Sequence, residues 1–149
     1  MNIPKIPTNS LTEEIKEIVS LCQQLEPKYG ANASWFESPA TEEEIKQWEL
    51  QNNISIPEAY KEWLRFSGDS QILNTLARFY GVKMIGEYNQ YVAEDLVVIG
   101  ELIGDGEMLC FSRRSQNIFR YDHGKAKEIT NFKEWLNNFL IRMLREETY

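Results

Sequence analysis

Ile54-Ser55-Ile56-Pro57-Glu58-Ala59-Tyr60-Lys61-Glu62-Trp63-Leu64-Arg65-Phe66-Ser67-Gly68-Asp69 is the stretch whose reading decides the fold. Pro57 has a fixed φ and no N–H, so it suits a first helical position and pushes Ile56 into an extended conformation. A helix is therefore predicted from Pro57. Tyr60, Trp63, Leu64 and Ser67 then fall at i, i+3, i+4 and i+7, which places two large aromatic rings and a leucine on one face that has to be buried. Gly68 is the expected left-handed stop.

Upstream, Thr41-Glu42-Glu43-Glu44 has the capping-box pattern, with three acids in the first turn that complement the helix dipole; capping explains them without a metal. Ile45 and Trp48 form the inner face of that short helix, which leads through Asn52-Asn53 into Ile54. Residues 28–40 mix Gly, Asn, Ser and Pro with aromatics and are expected to form a loop. Its Trp35 and Phe36 either plug the core or meet a partner. Further back, Ser10-Leu-Thr-Glu13 is a second capping-box pattern. It predicts a helix from Ser10 in which Leu11, Ile15, Ile18, Cys22 and Leu25 make one apolar stripe ending at Pro27.

Downstream, Asp69 to Gln71 is expected to turn. Residues 72–80 suit a helix or a strand, 81–85 a short strand, and Gly86 to Tyr91 a loop or short helix. The period then changes. Leu96–Ile103 is apolar and β-branched enough for a strand buried on both faces, and Gly104-Asp105-Gly106 is a hairpin turn into Glu107–Ser112. Arg113 to Asn117 turns, Ile118–Asp122 alternates, His123-Gly124 turns again, and Lys125 to Ile129 adds a last strand. Asn131 caps a final helix whose Phe132, Trp135, Leu136, Phe139, Leu140 and Met143 follow the helical period and pack across the sheet. The expected fold is α+β: one domain, an antiparallel and mostly meander sheet, N-terminal helices and one C-terminal helix.

At 149 residues and 42% hydrophobic, the chain suits a single core. It has no apolar run of about 18 residues and no signal-peptide h-region after Met1, so a cytoplasmic protein is expected. Cys22 and Cys110 lie in separate apolar runs, as buried free thiols do. One histidine and no paired cysteine leave no metal signature. Asp105 and Glu107 flank Gly106, but a turn accounts for them. Gly104-x-Gly106 has Leu109 where a dinucleotide motif needs a third glycine, and a strand follows where a helix is required. His123 sits in a turn with no nucleophile elbow nearby, and sequence alone does not distinguish the acid pairs Glu94-Asp95 and Glu146-Glu147 from ordinary surface acids, so no catalytic residue and no cofactor is assigned. Sixteen basic against 23 acidic side chains give a net charge of −7. Such a field keeps the protein soluble, disfavours nucleic acid and anionic membrane, and speeds association with a basic protein.

The run I-P-x-x-Y-K-x-W-L followed by F-S-G-D resembles the LP-x-x-Y-K-x-F-L-x-x-x-N-G signature of the SUKH superfamily, which includes the Smi/Knr cell-wall-assembly regulators and bacterial toxin-immunity proteins. Ile45 and Glu49 match its preceding I-x-x-x-E element. Leu96 to Gly100, Gly104 to Gly106, Leu109 to Phe111, Ile118 to Asp122 and Asn131 to Leu136 match later pieces in order, so the resemblance spans about residues 41–140. Ile56 stands in place of the usual Leu, and Gly68-Asp69 in place of Asn-Gly. The resemblance implies a non-catalytic binding module. Without the long extensions of fungal members, the chain is expected to be the stand-alone bacterial form, an immunity protein that neutralises a cognate toxin, possibly a basic nuclease; a regulatory scaffold is the alternative. The expected contacts are Asp69, Glu87, Tyr88, Tyr91, Asp105 and Glu107 in polar and aromatic loops, with Trp35 and Phe36 as anchors.

Overall fold

In the computed structural model, which describes residues 1–148, the Pro57 stretch forms helix α3 (Glu58–Leu64), with Pro57 as its cap instead of its first residue. Pro57 is extended, and its carbonyl accepts from the Tyr60 and Lys61 N–H groups, both at 3.0 Å. Tyr60, Trp63 and Leu64 are buried as predicted. The Tyr60 hydroxyl reaches the carbonyls of Tyr80 at 2.6 Å and Ile99 at 3.0 Å, which ties the helix to the sheet. Gly68 is not a left-handed stop. Its N–H donates to the Ser38 carbonyl at 2.9 Å, and a Cβ would lie 2.9 Å from that same oxygen, so the close approach of two chains requires glycine.

Helix α2 (Glu42–Asn52) starts at the predicted capping box, Thr41 with Glu44, and ends at left-handed Asn53. Glu49 accepts from the Ile56 N–H at 2.8 Å and pairs with Lys61 at 2.9 Å, fixing the connection between α2 and α3. Helix α1 (Thr12–Tyr29) begins later than Ser10. Asn9 accepts from the Leu11 N–H at 2.8 Å, while the Ser10 hydroxyl turns away to the Glu62 carboxylate, so the expected box does not form. The helix also continues past Pro27. The Gly30 N–H reaches the Glu26 carbonyl at 2.8 Å, and Tyr29 hydrogen-bonds Glu147, so tertiary contact holds a last turn that proline alone disfavours.

Seven strands form one antiparallel sheet in chain order: β1 (Trp35–Phe36), β2 (Ser70–Ile72), β3 (Ala77–Phe79), β4 (Leu96–Leu102), β5 (Glu107–Ser112), β6 (Ile118–Asp122) and β7 (Lys125–Ile129). The meander from β4 to β7 lies where the sequence predicts it. Three segments differ. Trp35–Phe36 pairs with β2 instead of remaining loop; Ser70 and Gln71, expected in a turn, begin strand β2; and Gly81 to Ile85 is a turn, closed by the Met84 and Ile85 N–H groups on the Gly81 carbonyl. The ambiguous residues 72–80 form a hairpin, with Leu73 and Asn74 at φ 45° and 58°. In β4 the register shifts between Val98 and Gly100. A Cβ on Gly100 would stand 2.3 Å from the Arg78 carbonyl, which accounts for a glycine in an otherwise bulky strand.

The C-terminal helix runs as α4 (Phe132–Trp135), a π-helical segment (Leu136–Ile141) and α5 (Arg142–Glu147), with Asn131 capping through Glu134 N–H at 3.0 Å as predicted. The helices cover one face of the sheet: Phe79 meets Phe132 at 6.3 Å and Trp135 at 6.4 Å, and Arg120 lies 4.6 Å from the Phe139 ring centroid. No helix of the described residues is long and apolar enough to cross a membrane.

Both cysteines are free and buried, Cys22 in α1 and Cys110 in β5. Burial pushes the Cys22 thiol up to about 11 and the Cys110 thiol up to about 12, from an ordinary 9.0. The folded chain therefore keeps protons that the unfolded chain releases above pH 9, so stability is lost as the pH climbs from about 9 through those folded values. A thiol-reactive chromogenic disulfide at pH 8 should label neither cysteine in the native protein and both in denaturant. Native labelling at the rate of free cysteine would contradict this packing.

Candidate functional site

Residues paired across neighbouring antiparallel strands point to the same side of a sheet. Trp35, Gln71, Arg78, Glu101, Met108 and Tyr121 are paired in succession from β1 to β6, so they form one row, on the face opposite the helices. Every member is half-exposed. Phe119, two residues from Tyr121, adds another half-exposed ring to this face. At about 4.8 Å per strand, the row from β1 to β6 is roughly 24 Å long. That is comparable to the width of the ~800 Å² that one partner contributes to an ordinary protein interface.

Arg78 is the knot of this face. Its guanidinium pairs with Asp69 at 2.7 Å and lies 5.6 Å from the Trp35 ring centroid and 5.7 Å from that of Tyr80. Asp69 raises the guanidinium's affinity for its proton, so Arg78 stays charged. Tyr80 is buried, and burial together with the neighbouring Glu101 carboxylate pushes its hydroxyl above the ordinary tyrosine range. Its ring meets Tyr88 at 5.8 Å, and Tyr88 meets Tyr91 at 6.3 Å. Tyr88 and Tyr91 arrive on the 81–93 excursion, which is clamped to β4 by the Asn89 side chain on Val98 N–H at 2.9 Å and by the Gly86 N–H on the Val98 carbonyl at 3.0 Å.

Two adjoining hollows, of about 570 and 660 Å³, lie between α2 and this excursion and share Glu44, Val82 and Lys83 in their walls. Glu44 is held below the usual carboxylate range, first by the Thr41 N–H and then by the Thr41 hydroxyl. A general acid needs the opposite shift. Among the described residues no group of three or more His, Cys, Asp or Glu is placed to hold a metal ion.

The predicted contact residues separate into three groups. Trp35, Asp69, Tyr88 and Tyr91 come together through Arg78 and Tyr80. Glu87 lines the smaller hollow, and Asp105 is exposed in the β4–β5 turn. Phe36 and Glu107 do not belong to an exposed surface. Phe36 is 6% exposed and packs on Phe66 at 5.3 Å; Glu107 is 7% exposed and is closed by a two-bond pair with Arg120, at 2.8 Å each, beneath the C-terminal helix. Phe36 alternates with Trp35 in a strand, so only one of the two faces outward, and Glu107, the first residue of the predicted strand, faces inward toward Arg120. Arg78, Tyr80, Glu101, Met108 and Tyr121 were not anticipated. Alternation in 118–122 marked one side of β6, but only the strand register shows which side lacks a helix.

No curated protein matches the chain. A family model described as the SMI1 / KNR4 family (SUKH-1) matches residues 39–138, from the residue after Ser38 to the π segment of the last helix. That match takes in α2, α3, the sheet from β2 to β7 and the Arg78 knot, and by it the chain belongs to the SMI1/KNR4 family, SUKH-1.

Proposed function

We propose that this protein is a non-catalytic protein-binding module that serves as an immunity protein, neutralising a cognate bacterial toxin domain of basic character. The observation that carries the reading is the sheet face opposite the helices: a family member presents there a half-exposed row of Trp35, Met108 and Tyr121 with Tyr88 and Tyr91 beside it. Aromatic and methionine side chains are the residues enriched in the cores of protein interfaces. The net charge of −7 favours a basic partner, and the lowered Glu44 is itself unsuited to act as a general acid.

The test is co-expression with the toxin domain encoded beside the gene. The chain should restore growth and co-purify with the toxin, and Tyr121→Ala combined with Trp35→Ala should weaken the complex at least ~10-fold without lowering the melting temperature by more than a few degrees. Loss of protection with the wild-type chain, with capture of an endogenous cell-wall complex instead, would move the protein to a regulatory scaffold.

A further inference from the structure

Resting on the protein-binding reading, we propose that Glu101, Tyr88 and Tyr91 form a receptor for an arginine side chain of the partner. The face already holds one guanidinium, its own Arg78, between the Trp35 and Tyr80 rings with a single carboxylate, Asp69, at 2.7 Å. Arg78 stands directly across from Glu101 in the β3–β4 pairing, yet gives its ion pair to Asp69. Glu101 is thus a half-exposed carboxylate whose cross-strand cation is engaged by Asp69.

Tyr80 joins this carboxylate to the rings beside it. Its hydroxyl neighbours Glu101, its ring meets Tyr88 at 5.8 Å, and Tyr91 follows at 6.3 Å with 64% of its surface exposed. The Glu101 carboxylate and the Tyr88 ring therefore lie against one buried tyrosine, with the exposed Tyr91 ring next beyond Tyr88. A planar cation satisfies both at once, by stacking on the rings and donating to the carboxylate in plane, whereas a compact ammonium matches only the charge. Anionic groups are repelled by Glu101 and by the chain's net charge of −7. The occupant is thus the exposed arginine of a basic protein surface, in the arrangement that Arg78 displays within the chain.

Octa-arginine and octa-lysine peptides, titrated calorimetrically at ~0.15 M salt, test the receptor. Octa-arginine should bind about 3-fold more tightly than octa-lysine. Glu101→Gln should weaken octa-arginine about 10-fold and Tyr91→Ala about 3-fold. Glu13→Gln removes the same charge from the distant exposed end of α1 and should change affinity less than ~2-fold at this salt. Equal affinity for the two peptides, or equal effects of Glu101→Gln and Glu13→Gln, would reduce the binding to diffuse attraction and overturn the receptor. Toxin neutralisation separates the two proposals. If Glu101→Gln neutralises as well as the wild type, the receptor falls and the immunity reading stands; if the wild type fails to neutralise while octa-arginine binding depends on Glu101, the receptor stands and the immunity reading falls.

Discussion

Replacing Trp63 with alanine is expected to lower the stability of the fold by about 3–5 kcal/mol, the largest loss at any single aromatic of α3. Trp63 is fully buried, with its ring centroid 4.7 Å from Phe79 and 5.5 Å from Phe66, both edge-on. Removing it opens a cavity where α3, β3 and the turn after α3 meet, and deletes two edge-to-face contacts worth roughly 0.5–1.5 kcal/mol each within that total. At about 2–4 °C per kcal/mol for a chain of this size, the melting temperature should fall by roughly 6–20 °C. Trp63→Phe separates volume from hydrogen bonding. The indole N–H is buried without a partner, so phenylalanine sacrifices no hydrogen bond and should cost only ~1–2 kcal/mol. Urea unfolding followed by far-ultraviolet circular dichroism, with an unchanged m-value, measures both. Equal losses for the two variants would mean that the indole N–H, not ring volume, holds the junction.

Elements with a strong local signal were legible from the residues themselves. The Thr41 capping box, the Gly104–Gly106 and His123-Gly124 turns, the strands on either side of them and the Asn131 cap all depend on groups a few residues apart. The errors fall where distant partners decide. Ser10 carries the same cap chemistry as Thr41, but Glu62, far along the chain, takes its hydroxyl. Pro27 is tolerated because Tyr29 is tied to Glu147. Gly68 read as a local helix stop and Gly81 as the start of a strand, yet each is fixed by a backbone atom of another segment: the Ser38 carbonyl at 2.9 Å and the Asp69 N–H nitrogen at 2.8 Å from where a Cβ would sit. Two- and three-residue strands such as β1 and β2 are too short for a period to register, so only pairing reveals them.

The site was legible in part for the same reason. Exposed aromatics in polar loops, Tyr88 and Tyr91, stand out in a sequence, and so does Asp69 at the end of the motif. The residues that join them are strand residues whose neighbours in sequence face the core. Arg78 lies between buried Ala77 and Phe79, and Glu101 follows the sterically required Gly100, so each looks like an interruption of a buried run. Helix α1 shows the complementary effect. It lies outside the family match, yet Glu17 pairs with Arg145 at 3.0 Å and Glu14 accepts from Asn137 at 2.9 Å, so it packs with the C-terminal helix on the face away from the row. That packing fills the helical face; on the opposite face Val98 and Cys110 are buried and the 81–93 excursion is clamped to β4, while the row from Trp35 to Tyr121 stays half-exposed.

Glu107→Ala is expected to cost about 3 kcal/mol or more, because it strands a charge instead of trimming a surface. Glu107 and Arg120 are joined by two parallel N–H···O bonds of 2.8 Å on the helix-covered face, with Arg120 also lying 4.6 Å from the Phe139 ring. The carboxylate side chain is 9% exposed and the guanidinium 24%, so the unpaired arginine keeps some access to water, which places the loss toward the lower end of the ~3–5 kcal/mol typical of broken buried pairs. Replacing both partners, Glu107→Met with Arg120→Met, removes both desolvation costs and should return stability to within ~1 kcal/mol of the wild type. A double-mutant cycle in urea reads the difference as a coupling of roughly 2–3 kcal/mol, and additive single losses would refute a coupled pair. The same double variant tests the division between the two sheet faces. Arg120 and Tyr121 are neighbours on opposite sides of β6, so a chain that lacks the inner ion pair but folds should bind octa-arginine as tightly as the wild type; weakened binding would mean that the inner pair, not the row headed by Glu101, governs the surface.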